Sequence, residues 1–283
     1  MRSWLGQLPG FWREIASAGL PARRWGLAVV AALALAAAGL GVWLRSLQPK
    51  DLTWDHILET GILRVCTDPS WLPFEAMNPT TGRIEGLDAD LARLLADRLA
   101  PGMRAEFVTV GFDSLYDALL AGRCDAILSA LPYDPARTED VGYSVAYFDA
   151  GVVLVAREGV SDITGPEDLE GRVTGVEWGF VPEGPSRQRL FLSSLGLRRY
   201  DSASDVLRAL SSGELDAALV DHVSALVFLR QCPGLQIVGE PISGVPYVIP
   251  VRPGSSVLLE QIDRVLLEMR RDGTLENLQD KWF

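Results

Sequence analysis

The chain has 283 residues, enough for two modest domains with sizeable cores. Its formal net charge is -11 and its pI is about 4.7, which excludes a nucleic-acid binder, because that function needs a basic footprint.

The N-terminus differs from the rest. Gly26–Leu44, GLAVVAALALAAAGLGVWL, carries no charge and runs for 19 residues, near the minimum for a bilayer span. Arg2, Arg13, Arg23 and Arg24 precede it, opposed only by Glu14. The positive-inside rule then places residues 1–25 in the cytoplasm and everything after Arg45 outside. A cleaved signal peptide with Ala36-Ala37-Ala38 as its small-residue site is the competing assignment. The long basic leader and Trp43, suited to a membrane interface, favour an uncleaved single-pass anchor in the inner membrane, with the rest of the chain in the periplasm or outside the cell. Residues 45–56 follow as a linker.

Thr53–Glu59 reads as a helical turn stopped by Gly61, and Ile62–Cys66 as a strand. Thr67–Glu75, TDPSWLPFE, is then a loop at the carboxyl end of that strand, with Asp68 and Trp71 set out by two prolines. Leu87–Leu99 has leucines at helical spacing, at 87, 91, 94, 95 and 99. Ala105–Val110 is a second strand and Phe112–Ala121 a helix ended by Gly122. Ala126–Leu128 is a short apolar run, as a strand covered on both faces requires. Strands alternating with helices imply a parallel sheet with helices on its faces.

Asp149–Ala156 is a further strand, and Gly165-Pro166 opens a short helix. A second unit of the same kind then begins: strand Val173–Glu177, a Gly/Pro-rich loop Trp178–Pro185, and helix Arg187–Leu195. Helix Ala203–Leu210, strand Ala217–Val220, helix His222–Leu229 and strand Ile237–Val238 complete it. Tyr247–Val251 is a strand, Ser255–Arg271 a strong amphipathic helix and Thr274–Trp282 a short last one. The closing helices still need a sheet, so Tyr247–Val251 is expected to return to the first unit. Two crossovers, near Asp149–Leu154 and Gly244–Val248, then form a hinge over a cleft lined by strand-end loops. The expected division is 57–150 and 245–283 for lobe 1 and 151–244 for lobe 2.

Just past Ala126–Leu128, Pro132, Asp134 and Pro135 forbid both strand and helix, and Arg137 stands at the far side of that turn. Ligands of open α/β sheets bind beyond the carboxyl ends of strands, so a guanidinium there is a candidate anion clamp. Pairing with Glu139 or Asp140 is the plainer alternative. Cys66, Cys124 and Cys232 make no disulfide framework by number or spacing. If their strands are parallel neighbours, Cys66 and Cys124 fall at opposite ends of the sheet, so all three are expected reduced and mostly buried.

Several stretches together resemble a family 3 extracellular solute-binding protein of the kind that serves polar amino-acid ABC transporters. They are GILRVCTDPSWLPFE, GLDADLARLLADRL, FDSLYDALLAGRCDAILSALPYDPARTEDVGYSVAYF, LSSGELDAALVDHVSAL and DGTLENLQDKWF, from Gly61 to Phe283. The resemblance implies an α/β, two-lobed periplasmic-binding-protein-like (type II) fold with a two-strand hinge, here behind an N-terminal transmembrane helix. It implies that Trp71 stacks on a small-molecule ligand, that Arg137 grips its carboxylate and that Asp221 holds its ammonium. Phe112 matches a position that lines the pocket, and Ser129 one that contacts ligand side chains. An ABC transporter permease is the implied partner, with no cofactor. The chemistry agrees: a zwitterion needs a bidentate cation at one end and a carboxylate at the other, one from each lobe. Asp221 also suits an N-cap for the helix from His222.

The departures from the family pattern bear on the ligand. Pro132 stands where a small hydroxyl residue is usual, Asp134 replaces Thr, and Phe180-Val181 follow Gly179 in place of hydroxyl residues. Carboxylate donors are lost and, with Glu177 and Trp178 alongside, the pocket is expected to be more acidic and aromatic. An enzyme on this fold, of the cyclohexadienyl-dehydratase kind, is the rival reading, with Glu177 or Asp134 as general acid. A ligand-sensing module is a third. No nucleophile–base pair, metal-spaced cluster or phosphate loop is visible in the sequence, and His56 and His222 lie far apart, so a binding protein rather than an enzyme is expected.

Overall fold

A computed structural model describes Leu33, residues 51–179 and residues 195–283. The expected membrane span, the helix Arg187–Leu195 and the departures Phe180 and Val181 therefore lie outside the described residues, save for Leu33 and Leu195. No helix among the described residues is long and apolar enough to cross a membrane.

Residues 51–283 form one compact unit. In chain order it contains α1 (Leu52–Thr60), β1 (Ile62–Thr67), β2 (Ser70–Trp71), β3 (Glu75–Met77), β4 (Ile84–Glu85), α2 (Leu87–Leu99), β5 (Arg104–Thr109), α3 (Leu115–Leu120) and β6 (Ala126–Ile127). Next come β7 (Gly142–Tyr143), β8 (Phe148–Asp149), β9 (Val152–Arg157), β10 (Thr174–Glu177), β11 (Arg198–Tyr200), α4 (Ala203–Ser211), β12 (Ala217–Asp221) and α5 (His222–Gln231). The last elements are β13 (Leu235–Val238), β14 (Pro246–Tyr247), β15 (Pro250–Val251), α6 (Ser256–Arg271) and α7 (Thr274–Trp282).

Two five-stranded sheets organise these elements into two lobes. The first has the order β5-β1-β6-β15-β7, with β5, β1 and β6 parallel and β15 antiparallel to both its neighbours. The second has the order β11-β10-β12-β9-β13, with β11, β10 and β12 parallel. Each sheet is covered on both faces. In the first, Leu63 and Val65 of β1 pack with Leu91, Leu95, Ile262 and Leu266, while Cys66 turns to Leu115, Leu119 and Ile127 on the other side. In the second, Val153 and Val155 face Val206, Leu207 and Leu210, while Leu154 and Ala156 face Leu169 and Leu219. This alternation is the two-residue period of a strand with two apolar faces.

β15 returns to the first sheet, as its closing helices required. On the way, β14 pairs with β8, Pro246 against Asp149 and Tyr247 against Phe148, so two antiparallel segments connect the lobes. Gly151 marks the crossing. A Cβ there would collide with the carbonyl of Ser243, so no larger residue fits between the two segments. Gly86 plays a similar part at the start of α2. Its φ is 136°, and a Cβ would run into the Phe74 carbonyl.

Several expectations are corrected. The stretch Thr67–Glu75 is not only loop: β2, β3 and β4 form a small antiparallel sheet, Ser70 against Ala76 and Ala76 against Glu85. Phe112–Ala121 divides into a 3-10 turn at Phe112–Ser114 and α3. Asp149–Ala156 divides around Gly151, where the chain passes between lobes, and Tyr247–Val251 divides into β14, which pairs with β8, and β15, which joins the first sheet.

The expectation of three reduced cysteines is also wrong. Cys66 and Cys124 form a disulfide, with their Cα atoms 5.6 Å apart, and only Cys232 is free. β1 and β6 are parallel neighbours, but β6 begins only at Ala126. Before it the chain does not continue along the strand line. The Asp125 amide donates to the Arg64 carbonyl, and Arg123 is held by the Ala118 carbonyl, so Cys124 turns under β1 and meets Cys66. Both are fully buried in the same apolar layer, whereas Cys232, at the end of α5, is half-buried.

Candidate functional site

The carboxyl ends of β5, β1 and β6 lie side by side, and one residue joins them. Asp68, just after β1, donates its amide to Ser129 Oγ at 3.0 Å, just beyond β6. Its Oδ2 accepts from the Phe112 amide at 2.9 Å, just beyond β5. The structure thus brings Asp68, Phe112 and Ser129 together at the place where open sheets bind ligands. Phe112 is exposed, but Ser129 is only 1% exposed, and its hydroxyl donates to Glu75 Oε1 at 2.8 Å. Ser129 therefore braces the strand end from within and does not line a surface.

Trp71 stands on β2 with 45% of its surface exposed. Its ring lies 5.1 Å from Phe74, which is fully buried and meets Phe148, Tyr247 and Phe283 edge-on. This aromatic column seats Trp71 on the core while nearly half of its surface stays exposed.

Arg137 ends a 3-10 turn, Pro135–Arg137, capped by Asp134, whose Oδ1 accepts from the Ala136 amide at 2.9 Å. Its guanidinium lies 4.3 Å from the centre of the Tyr116 ring and 3.6 Å from Asp134 Oδ2. Its partner is thus Asp134, not Glu139 or Asp140. Tyr116 shares a 2.8 Å hydrogen bond with the Tyr143 hydroxyl, and Tyr133 packs edge-on against Tyr143 with ring centres 5.0 Å apart. Burial first, and the Tyr143 bond second, push the Tyr116 phenol well up. These three tyrosines form a platform under Arg137 that sequence reasoning missed. Tyr116 falls within an apolar helix pattern and reads as a core position.

Asp221 and Glu177 end adjacent parallel strands of the second lobe. Asp221 closes β12 and caps α5, accepting from the Ser224 amide at 2.8 Å. Glu177 closes β10 and is half-buried, and Trp178 follows it, 65% exposed, with Arg199 5.8 Å from its ring centre. Both lobes converge on the hinge. Pro132 bridges to Tyr247, Tyr133 donates its amide to the Pro246 carbonyl at 2.9 Å, and His222 stacks on Phe148 at 5.2 Å. The Tyr247 phenol is pushed up to about 12 by burial first, then by the charges of Asp88 and Asp221, so the second-lobe acid is felt at the strand that pairs with the Arg137 loop. Among the described residues no group of three or more His, Cys, Asp or Glu side chains is arranged to hold a metal ion.

A model of the bacterial extracellular solute-binding proteins, family 3, matches residues 63–283. The chain belongs to that family. Family 3 relatives match it along most of their length. A putative ABC transporter arginine-binding protein 2 of Escherichia coli (strain K12) is 27% identical over 229 residues, covering 78% of this chain and 90% of the relative. Among solved structures, an ancestral cyclohexadienyl dehydratase has a TM-score of 0.70 at 27% identity, covering 81% of this chain and 95% of its own. An ancestral cationic amino acid solute binding protein has a TM-score of 0.59 at 30% identity, covering 82% and 99%. These neighbours share the two-lobed α/β fold.

Proposed function

We propose that this protein captures a small polar solute, an amino acid or a related compound, outside the cytoplasm and delivers it to the permease of an ABC importer. Residues 26–44 tether it to the inner membrane, lobe 1 comprises 57–150 and 245–283, and lobe 2 comprises 151–244. One observation carries the reading. A cation, Arg137, stands in the loop after the central strand of one sheet, an anion, Asp221, closes the central strand of the other, and the hinge pair connects the two lobes. A zwitterion gripped at both ends draws the lobes together, because its affinity for the closed state exceeds that for the open one. Trp71 supplies an aromatic wall, and Phe112 and Asp68 supply the first-lobe rim.

The ligand is expected to be cationic. Glu177, Asp134 and Asp221 are all strand-end or loop acids, and Asp134 already occupies one side of the Arg137 guanidinium. The arginine-binding relative and the cationic amino acid neighbour support that direction. A thermal-shift panel of L-arginine, L-histidine, L-glutamine, L-cystine and simple polyamines tests the reading. A true ligand stabilises by about 2.7 kcal/mol at about 100 times its Kd, and a panel with no shift removes the proposed class.

The dehydratase neighbour favours a second reading, in which Glu177 or Asp134 protonates the ring hydroxyl of a cyclohexadienyl acid, so that it leaves as water while the ring carboxylate leaves as carbon dioxide and its bond electrons complete the aromatic ring. Incubation with such an acid distinguishes the two. Appearance of an aromatic product establishes the enzyme, and an unchanged substrate leaves the binding protein. Protease added to cells stripped of their outer layers tests the tether: the 51–283 unit should be digested, and its full protection refutes an external location.

A further inference from the structure

Behind the first-lobe loop lie two buried carboxyls to which the binding reading gives no part. Glu75 on β3 is 2% exposed and Asp88 in the first turn of α2 is 1% exposed. Each has one oxygen with donors. Glu75 Oε1 accepts from Ser129 Oγ at 2.8 Å, and Asp88 Oδ2 accepts from the Ala130 amide at 2.6 Å and the Tyr147 hydroxyl at 2.9 Å. Each also has one oxygen, Glu75 Oε2 and Asp88 Oδ1, without a donor. The two side chains face each other closely enough to share a hydrogen bond, and two carboxyls that each keep an unpartnered oxygen lack one hydrogen between them, which a single proton on Glu75 supplies.

We propose that Glu75 and Asp88 share one proton and that the protonated pair positions the ligand loop of lobe 1. The connection runs in two directions. Through Ser129 the pair fixes the Asp68 amide, and Asp68 in turn fixes Phe112. Through Ala130 it holds the residue that follows Ser129 at a φ of 44°, a left-handed conformation that a non-glycine residue keeps only when the surroundings impose it. Glu75 and Asp88 are thus positioning residues that act through Ser129 and Ala130. This inference rests on the reading of that loop as the ligand loop, but its test needs no ligand.

The groups facing the pair come from every side. Asp88, Ser129 and Asp68 act on Glu75, and the Ala130 amide, Tyr147 and Glu75 act on Asp88. Tyr147 is faced by both carboxyls and by Tyr247. No Lys, Arg or His is among these groups. Burial is the largest influence raising both acids, followed for Glu75 by the charge of Asp88. Loss of the shared proton therefore leaves two adjacent buried charges, and opening of the loop that Ser129 and Ala130 anchor relieves them.

The experiment is infrared spectroscopy and amide hydrogen exchange on the full chain against pH. At about pH 7, where ordinary carboxyls are ionised, the wild type should show the band of an un-ionised carboxyl. Glu75→Gln should remove it, because a Gln amide donates to Asp88 and accepts from Ser129 without a titrating proton. Asp88→Asn, which takes away the neighbouring charge but leaves Glu75 buried, should shift the loss of the band to lower pH. In alkali the wild type should lose protection at the Ala130 and Asp68 amides by about tenfold per pH unit beyond intrinsic exchange, as one proton released per opening requires. Glu75→Gln should lack that extra slope. Absence of the band in the wild type, its survival in Glu75→Gln, or equal slopes in wild type and Glu75→Gln would overturn the proposal. If neither variant folds, the wild-type band alone decides.

Discussion

The two lobes present their strand ends differently. In lobe 1, three parallel strands end in a set of internal bonds: Phe112, Asp68, Ser129 and Glu75 are bonded in series, Asp88 holds the next residue, Ala130, and the Cys66–Cys124 disulfide ties the strand ends. In lobe 2, Asp221 is bonded to the amide of its own helix, and Glu177 and Trp178 project from the neighbouring strand. The first arrangement fixes geometry, and the second presents charge and aromatic surface.

The strongest way to break the comparison is to remove the lobe 1 tether. Cys66→Ser with Cys124→Ser opens a loop with a sequence separation of 58, which costs about 4 kcal/mol by loop entropy. Chemical denaturation should show that loss. A loss below about 1 kcal/mol would mean that the hydrogen-bonded layer suffices alone.

That tether was not legible in the sequence, and the reason is physical. Whether Cys124 meets Cys66 depends on a two-residue strand and on the turn made at Arg123 and Asp125, held by Ala118 and Arg64. Such contacts are non-local and leave no periodic trace. The long elements were readable because burial imprints a period on them: leucines every three to four residues in α2, unbroken apolar runs in β9 and β12. Asp88 was hidden for a different reason. An acid in the first turn of a helix reads as a partner for the helix dipole, and only the fold shows it closed off by Glu75 and Tyr147. Arg137 and Asp221 stand out in the sequence because loop chemistry and the family motif mark them. The tyrosines beneath Arg137 do not, since their partners come from three separate segments.

A pH titration of stability sharpens the same contrast. Burial raises Glu75 from its ordinary 4.5, with the Asp88 charge adding to it. A raised acid keeps its proton in the folded chain after the unfolded chain has lost it. Its contribution to stability is therefore complete below about 4.5 and declines as pH rises into the alkaline range. Thermal melts of the wild type should show that decline, and Glu75→Gln should flatten it. A variant that melts in parallel with the wild type would refute the assignment.

A smaller effect is expected in lobe 2. Asp221→Ala removes the α5 cap and should cost about 1 kcal/mol, whereas Asp221→Asn should keep most of the cap. Equal losses from both would show that charge, not the cap bond, stabilises this strand end.

The central claim is that Arg137 and Asp221 hold opposite ends of one ligand. Calorimetry with the tightest member of the thermal-shift panel tests it on Arg137→Ala and Asp221→Asn. For an amino acid each change should cost about 2–5 kcal/mol of binding, as truncation of a buried charge-assisted pair does. If Asp221→Asn abolishes binding while Arg137→Ala matters little, the ligand is a cation without an α-carboxylate and the Arg137 half of the claim fails. Wild-type affinity in both variants would contradict the account.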